Sequence, residues 1–182
     1  MMKLYLPVLF TLFIFVSCAT VEEATVDDPE PSADEVETAE YAAPEWYSYT
    51  NRSYSDSVSF TGVGLASSVD EADAREKAKS LAVANLKLSV DRYAENVRTD
   101  QAEQSSDGEF SSPGFIFDLR NAVQNMSIAD ELETTDEHIE TEDSVHQIYV
   151  KVTLSMGAAL NALENELNHA GFTRVLNEQI AL

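Results

Sequence analysis

Residues 70–98 constrain the fold more than any other part of this chain. Ala74, Ala78, Ala82, Leu86, Val90, Tyr93 and Val97 recur at spacings of three or four, which lines one face of an α-helix. Leu81 and Leu88 read as widening that stripe. Because the alanines come first, the helix can lie close on a partner at its start and further out at its end. A partner stands just ahead of it: residues 58–66 alternate apolar and small polar side chains, the period of a half-buried strand. Ser67 and Ser68 supply a turn and a cap, and Asp70 and Glu71 fall in the first helical turn, where the dipole favours acids.

The second half of the chain completes the pattern. Residues 99–113 are polar and read as a loop, and a short helix is expected over 117–125. His146, Ile148, Val150, Val152 and Leu154 share one face of a strand over 145–154. Glu142, Asp143 and Ser144 predict a hairpin to a less regular strand over 127–141. A last amphipathic helix over 157–171 uses Leu160, Leu163 and Leu167, with Gly171 suited to the position just past its end. The order β-α-(α)-β-β-α predicts an α+β fold, a long helix packed on a small antiparallel sheet. No internal repeat is visible.

Ahead of this domain the chain changes character twice. Residues 1–17 begin with Lys3 beside the amino terminus and continue as an apolar run broken only by Pro7 and Thr11. The run is shorter than the roughly 20 residues that a membrane-spanning helix needs, and it fits the centre of a signal peptide. Phe15, Val16, Ser17 and Cys18 resemble a bacterial lipobox, with Phe15 departing from the usual aliphatic residue. That resemblance implies a diacylglycerol on the Cys18 sulfur, cleavage before it, and acylation (palmitate) of the new amino terminus. The open alternatives are an ordinary secretory signal and a retained anchor. Ala19, where the inner-membrane retention signal has Asp, implies the outer membrane. Residues 18–43 are expected to form a disordered tether, with nine acids and no base from Ala19 onward. Pro44, Glu45, Trp46 and Tyr47 mark the start of the folded domain, 44–182.

Several of these elements resemble the LPP20 family of bacterial lipoproteins, which is related to the amino-terminal domain of the flagellar assembly protein T. The matching residues are Pro44, Glu45, Trp46 and Tyr47, then Phe60 to Ala66, then Ala72, Ala74, Ala78 and Ala82, and finally His146 to Val150. The resemblance implies a helix packed on an antiparallel sheet, in proteins of the envelope or surface. It implies no settled biochemical activity. The segment 99–114 is least like the family pattern.

Charge and residue counts narrow the chemistry. With 33 acids against 11 bases the net charge is −22, which argues against nucleic acid as a partner. One cysteine excludes an intrachain disulfide. Gly62, Val63 and Gly64 could cradle a phosphate, but the third glycine of that fingerprint is missing, and close approach of the helix is the better reading. His138 and His146, with Glu140, could face each other across the hairpin as metal ligands, but the register is open and surface histidines are the better reading. Residues 130–143 hold eight acids and no Lys or Arg, best read as a charged edge strand, with cation binding left open. His169, beside Gly171, is read as favourable to a helix end. No serine lies in a Gly-x-Ser-x-Gly context, and Cys18 is expected to be blocked by lipid.

The expectation is therefore a non-catalytic envelope lipoprotein with no catalytic residue, no metal and no cofactor beyond the covalent lipid on Cys18. It would lie at the periplasmic or surface face of the outer membrane as a structural or protein-interaction module, flagellar or cell-envelope associated. Its partners would be the membrane, through the anchor, and an envelope protein or a second copy of itself. Trp46, Tyr47, Tyr49 and Tyr54 are the candidate contact residues, the alternative being that they cap the core under the sheet. The other function left open is a carrier or sensor of a small apolar ligand held between the long helix and the sheet.

Overall fold

A computed structural model describes residues 43–106 and 108–180. The expected signal peptide, Cys18 and all of the tether before Ala43 lie outside the described residues. The described chain is an α+β fold in the order β1 (Ser53–Ser55), β2 (Ser59–Ser68), α1 (Glu71–Gln104), a 3₁₀ turn (Glu109–Ser111), α2 (Pro113–Asn125), β3 (Glu133–Glu142), β4 (Val145–Ser155), α3 (Met156–Leu167) and α4 (Ala170–Ile180). The four strands form one antiparallel sheet ordered β1-β2-β4-β3.

The register between β2 and β4 decides which side of the sheet is the core. Phe60 pairs with Leu154, Gly62 with Val152, Gly64 with Val150 and Ala66 with Ile148. All eight therefore share one face, and α1 lies across it with Ala74, Ala78, Ala82, Leu86 and Val90 fully buried. The glycines set the distance. A Cβ on Gly62 would collide with the Ala82 carbonyl oxygen, and one on Gly64 with that of Ala78. Gly62 and Gly64 thus lie mid-strand against the helix backbone, and no phosphate-cradling turn forms there.

Several boundaries differ from the sequence expectation. α1 runs on to Gln104, because Arg98 is buried and donates to the Phe110 carbonyl at 2.7 Å, tying the helix to the 3₁₀ turn. Leu81 and Leu88 do not widen the buried stripe: they are 48% and 43% exposed, since the sheet meets only a narrow line of α1. α2 begins at Pro113, four residues earlier than expected, with the Ser112 hydroxyl accepting the Phe115 N–H at 3.2 Å. β3 begins at Glu133, because Met126 and Ile128 ahead of it are buried in the core. The hairpin turn is the residue pair Asp143 and Ser144, both with positive φ (48° and 67°).

The last helix is two helices. Asn168 adopts a left-handed conformation (φ 47°, ψ 42°) and ends α3, so Gly171 falls inside the first turn of α4 and is no C-terminal cap. His169 consequently serves the start of α4. Its Nδ1 accepts the Phe172 N–H at 3.1 Å, which leaves the proton on Nε2 to be donated to Glu109 Oε1, also at 3.1 Å.

Candidate functional site

The face of the sheet away from α1 carries Thr61, Val63 and Leu65 from β2, with Gln147, Tyr149, Lys151 and Thr153 from β4 paired beside them. Residues from Ala43 onward pack against this face before the chain enters β1. Tyr47 is buried, with its ring edge-on to Tyr149 at 4.8 Å and in one small cluster with Val63. Trp46 and Tyr49 stand edge-on to Tyr47 at 6.4 and 5.0 Å. Two cations hold the group from outside. Lys151 Nζ lies 5.5 Å from the Trp46 ring and pairs with Asp136 at 2.6 Å. The Arg52 guanidinium lies 5.8 Å from the Tyr47 ring and 6.0 Å from that of Tyr49.

The four aromatic residues therefore divide. Tyr47 is a packing residue and is not presented to a partner; Trp46 is half-buried, and Tyr49 (58% exposed) and Tyr54 lie at the surface. The hydroxyls of Tyr47 and Tyr149 are buried without a hydrogen-bond partner. Burial pushes both phenols above the usual tyrosine range; Arg52 works against this at Tyr47, and the neighbouring Tyr49 hydroxyl adds to it at Tyr149.

The hairpin register separates the two strand histidines. His138 pairs with Tyr149 and His146 with Thr141, which puts them on opposite faces of the sheet. His138 Nε2 lies 3.3 Å from Glu140 Oε1, and His146 Nδ1 lies 3.0 Å from Thr141 Oγ1. Among the described residues no group of three or more His, Cys, Asp and Glu side chains converges. The acids of β3 are spread over both faces of this outermost strand. Asp136 pairs with Lys151, and Glu137 pairs with Arg75 at 2.9 Å.

A second set of residues emerges at the β1 edge, which sequence periodicity did not single out. β1 pairs with residues 60–62 of β2 only, so among the described residues no strand lies beside residues 64–68 on that edge. Asn85 on α1 takes over where β1 stops, donating from Nδ2 to the Val63 carbonyl at 2.7 Å. Two turns further along α1, Arg92 donates to the Ser53 carbonyl at 3.1 Å. Leu81 and Leu88 share this side of α1 with them, at helical spacing. The signal was present as a polar and apolar stripe, but which neighbour it would meet depends on β1.

Comparison of the chain with protein-family models, with curated proteins and with solved structures finds no match.

Proposed function

We propose that this chain is a non-catalytic lipoprotein of the bacterial cell envelope, anchored through Cys18, whose folded domain is a structural or protein-interaction module. The observation that carries the reading is the β1 edge of the sheet. There Tyr49 and Leu81 are exposed near the end of β1, past which residues 64–68 of β2 have no neighbouring strand among the described residues, while Tyr54 and Leu88 are exposed beside β1 itself. Exposed aromatics beside an open strand edge suit an extended partner segment, whose backbone would pair with β2 and whose side chains would rest on Leu81 and Tyr49. The acidic edge formed by β3 discourages pairing at the other end of the sheet, so one edge is left for recognition. The resemblance to LPP20 lipoproteins supports the same reading. A carrier of a small apolar ligand between helix and sheet is less favoured, because α1 meets β2 backbone to backbone at Gly62 and Gly64, where such a ligand would sit.

Cross-linking in native envelopes tests this. Tyr49→Ala combined with Leu88→Ser is expected to abolish a specific cross-linked species while leaving the melting temperature within a few degrees of wild type. Retention of every cross-link by that variant would refute the β1 edge as the contact surface.

A further inference from the structure

Residues 49–53 and the adjoining side of α1 enclose an open pocket of about 300 Å³, lined by Asn51, Arg52, Ser53, Asn85, Leu88 and Arg92 together with Tyr49 and Thr50. No carboxylate lines it. Elsewhere in the fold Arg75, Lys77, Arg98 and Lys151 each hold a carboxylate within 3 Å. Arg52 and Arg92 have no acidic partner among the described residues. Arg92 uses one N–H on the Ser53 carbonyl, and Arg52 lies over the Tyr47 and Tyr49 rings, so each guanidinium keeps further donors for another acceptor.

The inner wall is formed at Ser53, whose carbonyl accepts from Arg92 at 3.1 Å and so fixes that guanidinium beside the pocket. Asn51 and Thr50 add neutral donors at the same wall, and Leu88 and Tyr49 supply an apolar flank. Guanidinium forks bind planar or tetrahedral oxyanions through paired N–H bonds. A carboxylate carries one negative charge, whereas a phosphate monoester carries close to two and presents three free oxygens, which matches a pocket with two arginines and no acid.

We propose that this pocket binds an oxyanion of the phosphate type, carried by a small ligand whose apolar part rests on Leu88 and Tyr49. The rest of the surface repels anions, because the net charge is −22, so saturable binding has to be local. The pocket shares Tyr49 and Leu88 with the proposed contact surface, but the arginine variants and the phosphate titration test it separately, and it does not depend on the lipid anchor.

The test is a titration of the ¹⁵N-labelled full chain in detergent with inorganic phosphate, at ionic strength held constant with chloride. Saturable shifts in the millimolar range are expected at the amides of 49–53 and 85–92. Arg52→Gln and Arg92→Gln should each weaken binding about tenfold. Arg92 also holds β1 through the Ser53 carbonyl, so the exposed Arg52 provides the variant that keeps the fold, verified by unchanged amide shifts elsewhere. Micelles doped with phosphatidic acid, a phosphate monoester, separate the sources of the phosphate: competition for the same shifts assigns a lipid headgroup, and no competition assigns a soluble ester. Scattered or non-saturating shifts, equal binding of acetate, or wild-type affinity in both arginine variants would overturn the proposal.

Discussion

Tyr149 shows how one buried atom couples this fold to pH. Its ring fills the centre of the outer face against Tyr47 and Val63, while its hydroxyl closes no hydrogen bond there. Burial raises the phenol in the folded chain above its value in the unfolded chain, and Tyr47 is shifted the same way. The stability linked to these two groups is complete below the unfolded tyrosine value of about 10. As pH rises past that value, the unfolded chain gives up protons that the folded chain retains, and stability falls. Tyr149→Phe should shrink this alkaline loss. At neutral pH it should change stability by less than about 1 kcal/mol, because no hydrogen bond is lost with the hydroxyl. Urea unfolding of the two proteins at neutral and alkaline pH checks both halves. An alkaline loss of the same size in Tyr149→Phe would show that the phenol is not its source.

Among the elements, the contact of α1 with β2 carries the greatest demand for fit. Gly64→Ala would drive a methyl group into the Ala78 carbonyl and should cost about 3 kcal/mol, at the upper end of overpacking effects. Gly157→Ala places the same methyl group in open space on α3 and should stabilise by about 0.5–1 kcal/mol through helix propensity. Denaturant midpoints of the two variants shifting by the same amount would remove close packing as the role of Gly64. This contact was legible in sequence because the alanines at helical spacing and the glycines at strand spacing each reported one face of one element. β4 was legible for the same reason, through Ile148, Val150, Val152 and Leu154. What was not legible rests on partners distant in sequence. β1 is only Ser53, Tyr54 and Ser55, too short to show a period, and it is held by Arg92 from α1. The last turns of α1 follow from Arg98 reaching the Phe110 carbonyl, and the break after α3 from a left-handed Asn168 that no glycine announced. The aromatic residues near the domain start were visible as a group. Their division into one packed and three more exposed members depends on Tyr149, about a hundred residues later, and the pocket arginines meet only because β1 lies beside α1.

For the whole molecule, the proposed envelope reading raises the question of what could hold so acidic a protein at a membrane. Among the described residues no helix is long and apolar enough to cross one. The nine acids between Ala19 and Ala43 are repelled by anionic headgroups, and with a net charge of −22 the chain gains nothing from surface electrostatics. On the proposed lipoprotein reading, membrane association would rest on acyl chains on Cys18, where each buried methylene contributes about 0.8 kcal/mol and two or more chains anchor stably. Cys18→Ser should move the protein from the membrane pellet to the soluble fraction after cell fractionation. Released protein should keep the thermal midpoint of the wild-type domain, since the buried residues of the described core all lie at or beyond Tyr47. High salt would strip a protein held by charge, so wild-type protein should stay in the pellet through a high-salt wash. Sedimentation of Cys18→Ser with membranes, before and after that wash, would refute the lipid as the anchor and point instead to a retained apolar segment or a membrane-bound partner.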